Sequence, residues 1–454
     1  MKKYIWMMSV IVTLILTSCS GTDYLSVIPQ GSQAVISFDL AGMAKSANLD
    51  ASKSNALKAL LHIDNPDECG LDITSKAYLF ESPDGSLGLV AKVSDDDDME
   101  TYFNKLSGSG ICKKVTKTKG FKWTVLKDSW VIGFSSKAML VMGPTVGSAQ
   151  EELKRTMARY LDASEDDGIK GTPLFDKLDA MTGDVNMVAS VVALPQKIGT
   201  PFRLGAPADA DPADVMIAAT MQTSNNCLNI TGSTFSFNKS VNSALESSAA
   251  SYRPITGQFI PSLSDSDAVA VMLNFEGSNY IKVLRSDKGL RAVLAGLNAA
   301  VDADNMIKSI DGDAAIVIKS MKGDKMDYSF AAKVKSDAFL DDVGYWKKSL
   351  PSGATLTDFG KDCYHLSTGD WNIFFGVRSK SVLYMGSSSK IATLAGQPSP
   401  KQLPASVVNT IKGKKQCLIM NLDAIAATQP TITTVKELLK PIFGDFKYII
   451  YSAK

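Results

Sequence analysis

Short apolar runs rich in β-branched residues alternate with polar turns along most of the chain. Residues 34–40 and 268–275 have the alternating pattern of half-buried strands. Similar patterns cover 77–81, 88–93 and 122–142. Because helical segments separate groups of strands joined by short turns, we expect an α+β fold with a mainly antiparallel sheet, not a doubly wound parallel one.

Helical periodicity is found in a few segments between the strand groups. One helix is expected from Asp95 to about 106, and Ser148-Ala149-Gln150-Glu151 has the pattern of a capping box. Thr172-Pro173 is typical of another helix start, with an end near Gly183. A short helix is expected over 55–62. Later in the chain an apolar stripe at helical spacing consists of Leu290, Val293, Leu294, Leu297 and Val301.

Two parts of the chain resemble each other in sequence. The segment 91–95 recurs at 332–337, and 133–143 matches 376–386, a shift of about 242 positions. Two smaller matches keep the same order: Ile28-Pro29 with Ile260-Pro261, and Trp130 with Trp371. Preserved order indicates a tandem duplication.

The repeat predicts two structurally similar units, 28–255 and 256–454, each a mainly antiparallel β-sheet with helices packed on it. Each copy is long enough for its own hydrophobic core. Trp130 and Trp371 are predicted to occupy equivalent core positions.

Turn signals predict two hairpins. In the first copy, 215–222 and 228–237 pair through 224–226, and the run 122–142 turns at 127–129. The second copy has a counterpart of the first of these strands only, at 446–451, so we expect it to lack the return strand.

The N-terminus has the pattern of a bacterial lipoprotein signal. Lys2 and Lys3 precede the apolar run 5–16, which is too short to span a bilayer but has the length of a signal-peptide core. The run ends in Leu16-Thr17-Ser18-Cys19, a lipobox, in which Cys19 accepts a diacylglycerol. We therefore predict a signal peptide at 1–18 and a lipidated tether at 19–27. An ordinary signal peptide with an incidental cysteine is the alternative.

The residues after Cys19 bear on the membrane that receives the protein. Ser20 follows Cys19, as in lipoproteins sent to the outer membrane. Several surface-displayed lipoproteins carry an acidic cluster directly after the cysteine, and this chain lacks one there. The acidic run Asp95–Asp98 is too distant to act as one. We expect an outer-membrane lipoprotein facing the periplasm, with surface display as the alternative.

Charge and cysteine content exclude several function classes. The 48 basic and 47 acidic residues become 46 and 47 without Lys2 and Lys3, a net charge of −1 that gives no reason to expect a nucleic-acid partner. Five further cysteines occur without C-x-x-C or zinc-type spacing. No metal and no cofactor are expected, and the thiols are interpreted as mostly buried and free. These are Cys69, Cys112, Cys227, Cys363 and Cys417.

Acidic clusters are interpreted as structural. The run Asp95–Asp98 lacks the alternating spacing of a calcium loop, and carboxylates in a helix's first turn favourably oppose its dipole. We therefore predict helix capping there. The clusters 265–267 and 311–313 are expected to form turns before strands.

A nucleophilic site has few candidate residues. The sequence contains two histidines, His62 and His365, and lacks a G-x-S-x-G elbow. Cys363 and His365 are two apart in a predicted strand, so they share a face, and a hydrolase using them is one hypothesis. A half-buried packing pair is the favoured interpretation. We expect a protein that is not an enzyme.

Aromatic side chains raise a glycan-binding hypothesis, since sugar rings stack on exposed aromatic rings. A core role is favoured, because buried aromatic residues contribute strongly to core stability. The candidates are Trp123, Trp130, Trp346, Trp371, Phe374 and Phe375.

The lipobox, the segment 28–35 before the first strand, the two-copy layout and the segment 175–184 together resemble a Bacteroidales lipoprotein family described as a domain of unknown function. The resemblance implies membrane anchoring and a duplicated α+β fold, and it brings no catalytic residues. The leading interpretation is a lipid-anchored, non-enzymatic binding or scaffolding protein. Its expected partners are the membrane, through Cys19, and an envelope protein or glycan. A surface glycan-binding lipoprotein and a hydrolase remain alternatives.

Overall fold

The computed structural model places most of the chain in two compact units, unit 1 (Met1–Ala180) and unit 2 (Met181–Lys454). Both combine helices with β-strands, which confirms the α+β class. Four predicted features lie outside the described residues: the signal peptide, Cys19, the helix 55–62 with His62, and Trp371. The described residues are 21–39, 69–194, 199–322, 325–368, 372–429, 432–433, 436 and 443–453.

Unit 1 has an antiparallel sheet. Its order is β1-β2-β3-β7-β6-β5-β4. The predicted turn at 127–129 joins β5 to β6, with Lys127 and Asp128 at positive φ. The strands are β1 (Ala34–Phe38), β2 (Ala77–Glu81), β3 (Leu87–Lys92), β4 (Thr116–Thr118), β5 (Phe121–Leu126), β6 (Trp130–Phe134) and β7 (Ala138–Gly143).

The described residues of unit 1 form the helices α1 (Asp96–Gly108), α2 (Gln150–Leu161) and α3 (Pro173–Asp179). The predicted caps of α1 and α3 are confirmed, since Asp95 accepts from two backbone N–H groups of α1 and Thr172 accepts from one of α3. The capping box at Ser148 is wrong. Ser148 lies in the short 3-10 helix Gly147–Ala149, whose backbone leads directly into α2.

Unit 1 packs helices on both faces of its sheet. Met99 and Phe103 of α1 join Ile132 and Phe134 of β6 in one core. Alternate residues of a strand point to opposite faces. Gly133 therefore faces the other side, where Leu161 of α2 lies against it.

Unit 2 has a mixed sheet. Its order is β8-β9-β10-β19-β18-β11-β12-β13-β17-β16-β15-β14, in which β10 and β19 are parallel and the other neighbours antiparallel. The hairpin predicted through 224–226 is confirmed between β9 and β10. The strands are β8 (Val185–Ser190), β9 (Met216–Ser224), β10 (Cys227–Phe235), β11 (Val269–Glu276), β12 (Ile310–Lys322), β13 (Lys325–Val334), β14 (Thr355–Gly360), β15 (Cys363–Ser367), β16 (Asn372–Arg378), β17 (Val382–Gly386), β18 (Gln416–Asn421) and β19 (Tyr448–Ala453).

Helices flank this sheet as well. The predicted apolar stripe lies partly on α6, with Leu294 buried but Leu290 and Val293 exposed. One core packs Trp346 of α8 against Phe375, and another packs α9 and α10 against Tyr384. Within the described part of unit 2 the helices are α4 (Lys239–Ala249), α5 (Gly277–Ser286), α6 (Lys288–Asn298), α7 (Ala303–Ser309), α8 (Val343–Ser349), α9 (Ser389–Leu394), α10 (Ala405–Ile411) and α11 (Leu422–Ala426).

One acidic cluster differs from its prediction. Residues 311–313 do not form a turn before a strand but lie within β12, at a register irregularity between Ile310 and Ala314. The turn predicted at 265–267 is confirmed, since the Asp267 N–H donates to the carbonyl of Ser264 just before β11.

Candidate functional site

Cys363 and His365 lie on one face of β15, as their spacing predicts, but they bond to different partners. The Cys363 thiol forms a short hydrogen bond with the Tyr384 hydroxyl. His365 Nε2 lies 2.6 Å from Asn372 Oδ1. An amide oxygen is an acceptor, so with Oδ1 facing it Nε2 carries the proton and donates. The imidazole is therefore bonded to an amide, and the structure shows no activated thiol–imidazole pair at these two described residues.

Tyr384 and Arg378 fix the thiol's surroundings. The Arg378 guanidinium lies over the Tyr384 ring, 4.8 Å from its centroid, and donates to the carbonyls of Thr393 and Ala395 at the end of α9. Burial, followed by the hydrogen bond with Cys363, raises the pKa of Tyr384 above its ordinary value of 10.0. Tyr384 thus stays protonated at neutral pH, and this cluster fastens α9 to the sheet.

Three rings cross the same face and form an aromatic row, defined by Phe359, His365 and Phe374. His365 stacks on Phe374 with ring centroids 4.0 Å apart and planes 4° apart. Phe359 meets Phe374 edge-on at 5.4 Å. All three are half-buried. The row is the part of this face with aromatic surface open to a flat ligand.

The other aromatic candidates are mostly in cores. Trp123, Trp346 and Phe375 are buried, so their rings are closed to a sugar. Trp130 is half-buried, and its ring lies beside Gly143. Of the predicted platform, Phe374 is the member that belongs to the aromatic row.

The acidic run before α1 binds a lysine. Lys122 of β5 is 8% exposed and its Nζ lies 2.7–3.0 Å from carboxylates of Asp96, Asp97 and Glu100. Burial lowers the pKa of Lys122, but these hydrogen bonds outweigh it and the net shift is upward. The predicted capping role is confirmed for Asp95. The ion-pair cluster was not predicted from the sequence, because no local pattern links Lys122 to residues about 25 positions earlier.

A buried carboxylate on β12 was also missed. Asp313 is 1% exposed and accepts from the N–H groups of Thr256, Gly257 and Gln258, from the Thr256 hydroxyl and from the Asn274 amide, at 2.7–2.9 Å. With five donors the carboxylate is saturated, so it anchors the segment before β11 rather than offering a reactive group.

Unit 1 has an open depression of about 350 Å³ at the end of its sheet where β3 begins. Its lining is mostly small or apolar and carries no charged side chain: Gly85, Ser86, Leu87, Gly143, Pro144, Thr145 and Leu153. The lining therefore offers no ion pair to a ligand.

Two absences hold for the described residues. They contain no group of three or more His, Cys, Asp or Glu side chains placed to hold a metal ion. None of their helices combines the length and the apolar character that a membrane crossing requires.

Comparison with solved structures finds remote likenesses. Two crystal forms of a protein named TP0453, forms III and IV, are 16% and 14% identical to this chain. Each match covers 45% of this chain and 76% of the TP0453 chain, with a TM-score of 0.28. At this TM-score the likeness carries no argument about fold or function. No match is found among curated proteins.

The comparison with protein families is positive. The family described as "Domain of unknown function (DUF4836)" matches residues 24–450, nearly all of the chain that follows the predicted lipobox. The chain therefore belongs to the family of this domain of unknown function, DUF4836.

Proposed function

We propose that the protein is a lipid-anchored, non-enzymatic binding or scaffolding protein of the cell envelope. The observation that carries the proposal is Leu16-Thr17-Ser18-Cys19 at the end of a short apolar run behind Lys2 and Lys3. Ser20 supports an outer-membrane lipoprotein of the Bacteroidales type that faces the periplasm. Its partners are the membrane, through Cys19, and an envelope protein or glycan; the near-neutral charge speaks against nucleic acid.

The two tandem units are part of this proposal. The order β1-β2-β3-β7-β6-β5-β4 in unit 1 has the same form as β11-β12-β13-β17-β16-β15-β14 in unit 2, which supports a duplication. The hairpin β6–β7 turns through 136–137, whereas β16–β17 turns through 379–381. A one-residue insertion there accounts for the difference, and it shifts the proposed match of β7 with β17 by one position.

The boundary proposed at 255/256 separates the two proposed copies of the duplicated sequence. It differs from the boundary between the compact units, which lies between Ala180 and Met181. Strands β8 and β9 precede the boundary at 255/256 and belong to the compact unit 2. In this proposal β18 and β19 are their counterparts, and β10 is the return strand that the second copy lacks.

The non-enzymatic part of the proposal rests on the proposed counterparts of Cys363 and His365. Cys363 pairs with Gly376 as Trp123 pairs with Gly133, so Trp123 and Val125 stand in their places in unit 1. The common features of the copies are strands and packing rather than reactive groups. Together with the separate partners of the thiol and the imidazole, this favours binding over hydrolysis.

Acyl labelling tests the anchor. The full-length precursor is expressed in a bacterial host with an alkyne fatty acid, and Cys19→Ala is compared with Cys363→Ser, which leaves the lipobox intact. We expect a labelled, shortened product for the native chain and for Cys363→Ser. Cys19→Ala should remain unlabelled and keep its signal peptide. Labelling that persists in Cys19→Ala excludes the lipoprotein proposal.

Glycan binding is a second candidate, favoured by the aromatic row. An oligosaccharide that stacks on Phe374 should raise the melting temperature of the native protein. Phe374→Ala should remove that rise, while Phe121→Ala, a half-buried aromatic in unit 1, should keep it. No stabilisation across a panel of envelope oligosaccharides would exclude this candidate.

A further inference from the structure

The chain between Cys19 and the folded part of unit 1 is very short. Gly21 is already described, and the 3-10 helix Asp23–Val27 begins two residues later. An extended chain spans at most about 3.3–3.6 Å per residue, so Cys19 lies within about 7 Å of Gly21. A lipid attached to Cys19 would therefore emerge from the protein within about 7 Å of Gly21.

The 3-10 helix is fixed to unit 1. Tyr24, Leu25 and Val27 are buried. The Tyr24 hydroxyl donates to the carbonyl of Lys76 at 2.8 Å, immediately before β2. Residues 23–27 of the predicted tether are therefore part of the folded unit, and the anchor cannot swing on a nine-residue linker.

The chain enters unit 1 at one end of its sheet. Lys92 is the last residue of β3, and its Nζ lies 3.4 Å from the position a Cβ on Gly21 would take. Lys170 Nζ donates to Thr22 Oγ1 at 3.2 Å. We call Gly21, Thr22, Lys92 and Lys170 the anchor end of unit 1.

We propose that the anchor end lies against the headgroup layer of the lipid bilayer. This inference rests on the proposed lipid anchor at Cys19. A tether of about 7 Å is shorter than the width of a helix, about 10–12 Å, so it leaves no room for another layer of protein between the anchor end and the headgroups. Lys170, whose side chain is 42% exposed, then donates hydrogen bonds to lipid phosphates. Lys92 contributes less, because its ammonium already bonds to the Asp72 carboxylate at 2.9 Å.

The depression lies at the opposite end of the sheet. Leu87 begins β3 and pairs with Gly143, and both line the depression. The six residues of β3 separate the two ends by about 17 Å, at about 3.3 Å per residue. The depression therefore faces away from the bilayer and is accessible to a partner in the surrounding compartment.

Depth-dependent quenching tests this placement. The acylated protein is purified from membranes in a Cys363→Ser background and reconstituted into phosphatidylethanolamine–phosphatidylglycerol vesicles containing a nitroxide-headgroup lipid. A fluorophore is attached at Lys170→Cys or, as the matched control, at Val146→Cys, where the native side chain is 69% exposed beside the depression. We expect several-fold stronger quenching at position 170 than at 146.

A spacer variant separates tether length from other causes. Twenty Gly and Ser residues inserted between Ser20 and Gly21 form a flexible linker and should greatly reduce quenching at position 170. Weak or equal quenching at both positions in an acylated protein overturns the placement and leaves the anchor intact. Absence of the acyl group overturns both the proposed function and this inference.

Discussion

The helix after the last strand of each seven-strand region differs between unit 1 and unit 2. In unit 1, α2 has twelve residues and lies against β6 and β7; its last residue, Leu161, reaches Gly133 beside the Trp123 ring. In unit 2, α9 has six residues and lies over β17 and β13. Cys363 and His365 on β15 stay half-buried. One longer helix thus turns a strand face into core, and a shorter one leaves it partly open.

The two regions also differ in how charge connects a helix to the sheet. Lys122 of β5 lies buried under the acidic start of α1. In unit 2, Lys347 of α8 bonds to Asp358 on the surface, with Oδ2 at 2.7 Å. A similar order of strands therefore does not carry the same electrostatic contacts.

The largest expected contrast is between Trp123 and Phe374. Trp123 is 4% exposed, and its Nε1 donates to the carbonyl of Thr118. Trp123→Ala should lower the free energy of unfolding by about 3–5 kcal/mol. Phe374→Ala should lower it by about 1 kcal/mol, because the ring is only half-buried and part of its surface is already hydrated. Urea unfolding followed by circular dichroism measures both, and equal losses would contradict the contrast between the two faces.

Gly133 of β6 and Gly376 of β16 should both resist substitution, because a neighbouring side chain occupies the space that a Cβ would take. A Cβ on Gly133 would lie 2.5 Å from the Trp123 ring, and one on Gly376 would lie 2.6 Å from the Tyr384 hydroxyl. Gly133→Ala and Gly376→Ala should each lower the free energy of unfolding by about 1–3 kcal/mol through overpacking. Gly344→Ala in α8, where the space is open, is the control and should be neutral or stabilising. Thermal melting of all three variants decides this, and a tolerated Gly133→Ala would show that α2 can move off the sheet.

Removing the buried lysine should have a smaller, pH-dependent effect. Lys122→Met should cost about 1–2 kcal/mol near neutral pH, since it leaves the partly buried carboxylates of Asp96 and Glu100 without their donor. Hydrogen bonds from Lys122 lower the pKa values of Asp97 and Glu100 below their ordinary 3.8 and 4.5. The stabilisation is therefore complete above those ordinary values and is lost as the pH falls through the lowered ones.

The pH dependence of stability distinguishes this cluster from simple packing. Native protein should lose stability more steeply than Lys122→Met below about pH 4.5. Lys117→Met, whose lysine contacts Glu100 but is 64% exposed, should cost about 0.5 kcal/mol or less. Parallel pH profiles for the native protein and Lys122→Met would exclude the ion-pair explanation.

The smallest expected effect is that of Cys363→Ser. This substitution should change the thiol reactivity of the protein but not its free energy of unfolding. Of the five described cysteines, four are buried and Cys363 is half-buried. Burial raises the pKa values of Cys112, Cys227 and Cys417, the last to about 12, so their reactive thiolates are rare at pH 8. Of these five described thiols, one should react rapidly with a disulfide reagent in the native acylated protein, and none in acylated Cys363→Ser. Two or more rapid thiols would mean that a buried core opens readily.

Short sequence patterns correctly predicted the turns and helix starts that depend on a few neighbouring residues. Asn225-Asn226 predicts a hairpin because both tolerate positive φ, and Thr172-Pro173 predicts a helix start because a hydroxyl and a proline suit its first turn. For residues 311–313 the local pattern predicted the wrong structure, since a D-G-D sequence is typical of a turn. Donors from the segment before β11, together with the Asn274 amide of β11 itself, make a buried Asp313 stable within a strand.

The sequence by itself determined the α+β class, the positions of most strands and turns, and the shared face of Cys363 and His365, because each follows from a periodicity of two or from residue-specific backbone preferences. The tertiary structure decided which strand faces are covered, that Lys122 meets the acids of α1, and that the thiol bonds to Tyr384 rather than to the imidazole. Those outcomes depend on contacts between residues far apart in the chain. Such contacts arise from the length and packing of whole helices, which no short sequence pattern specifies.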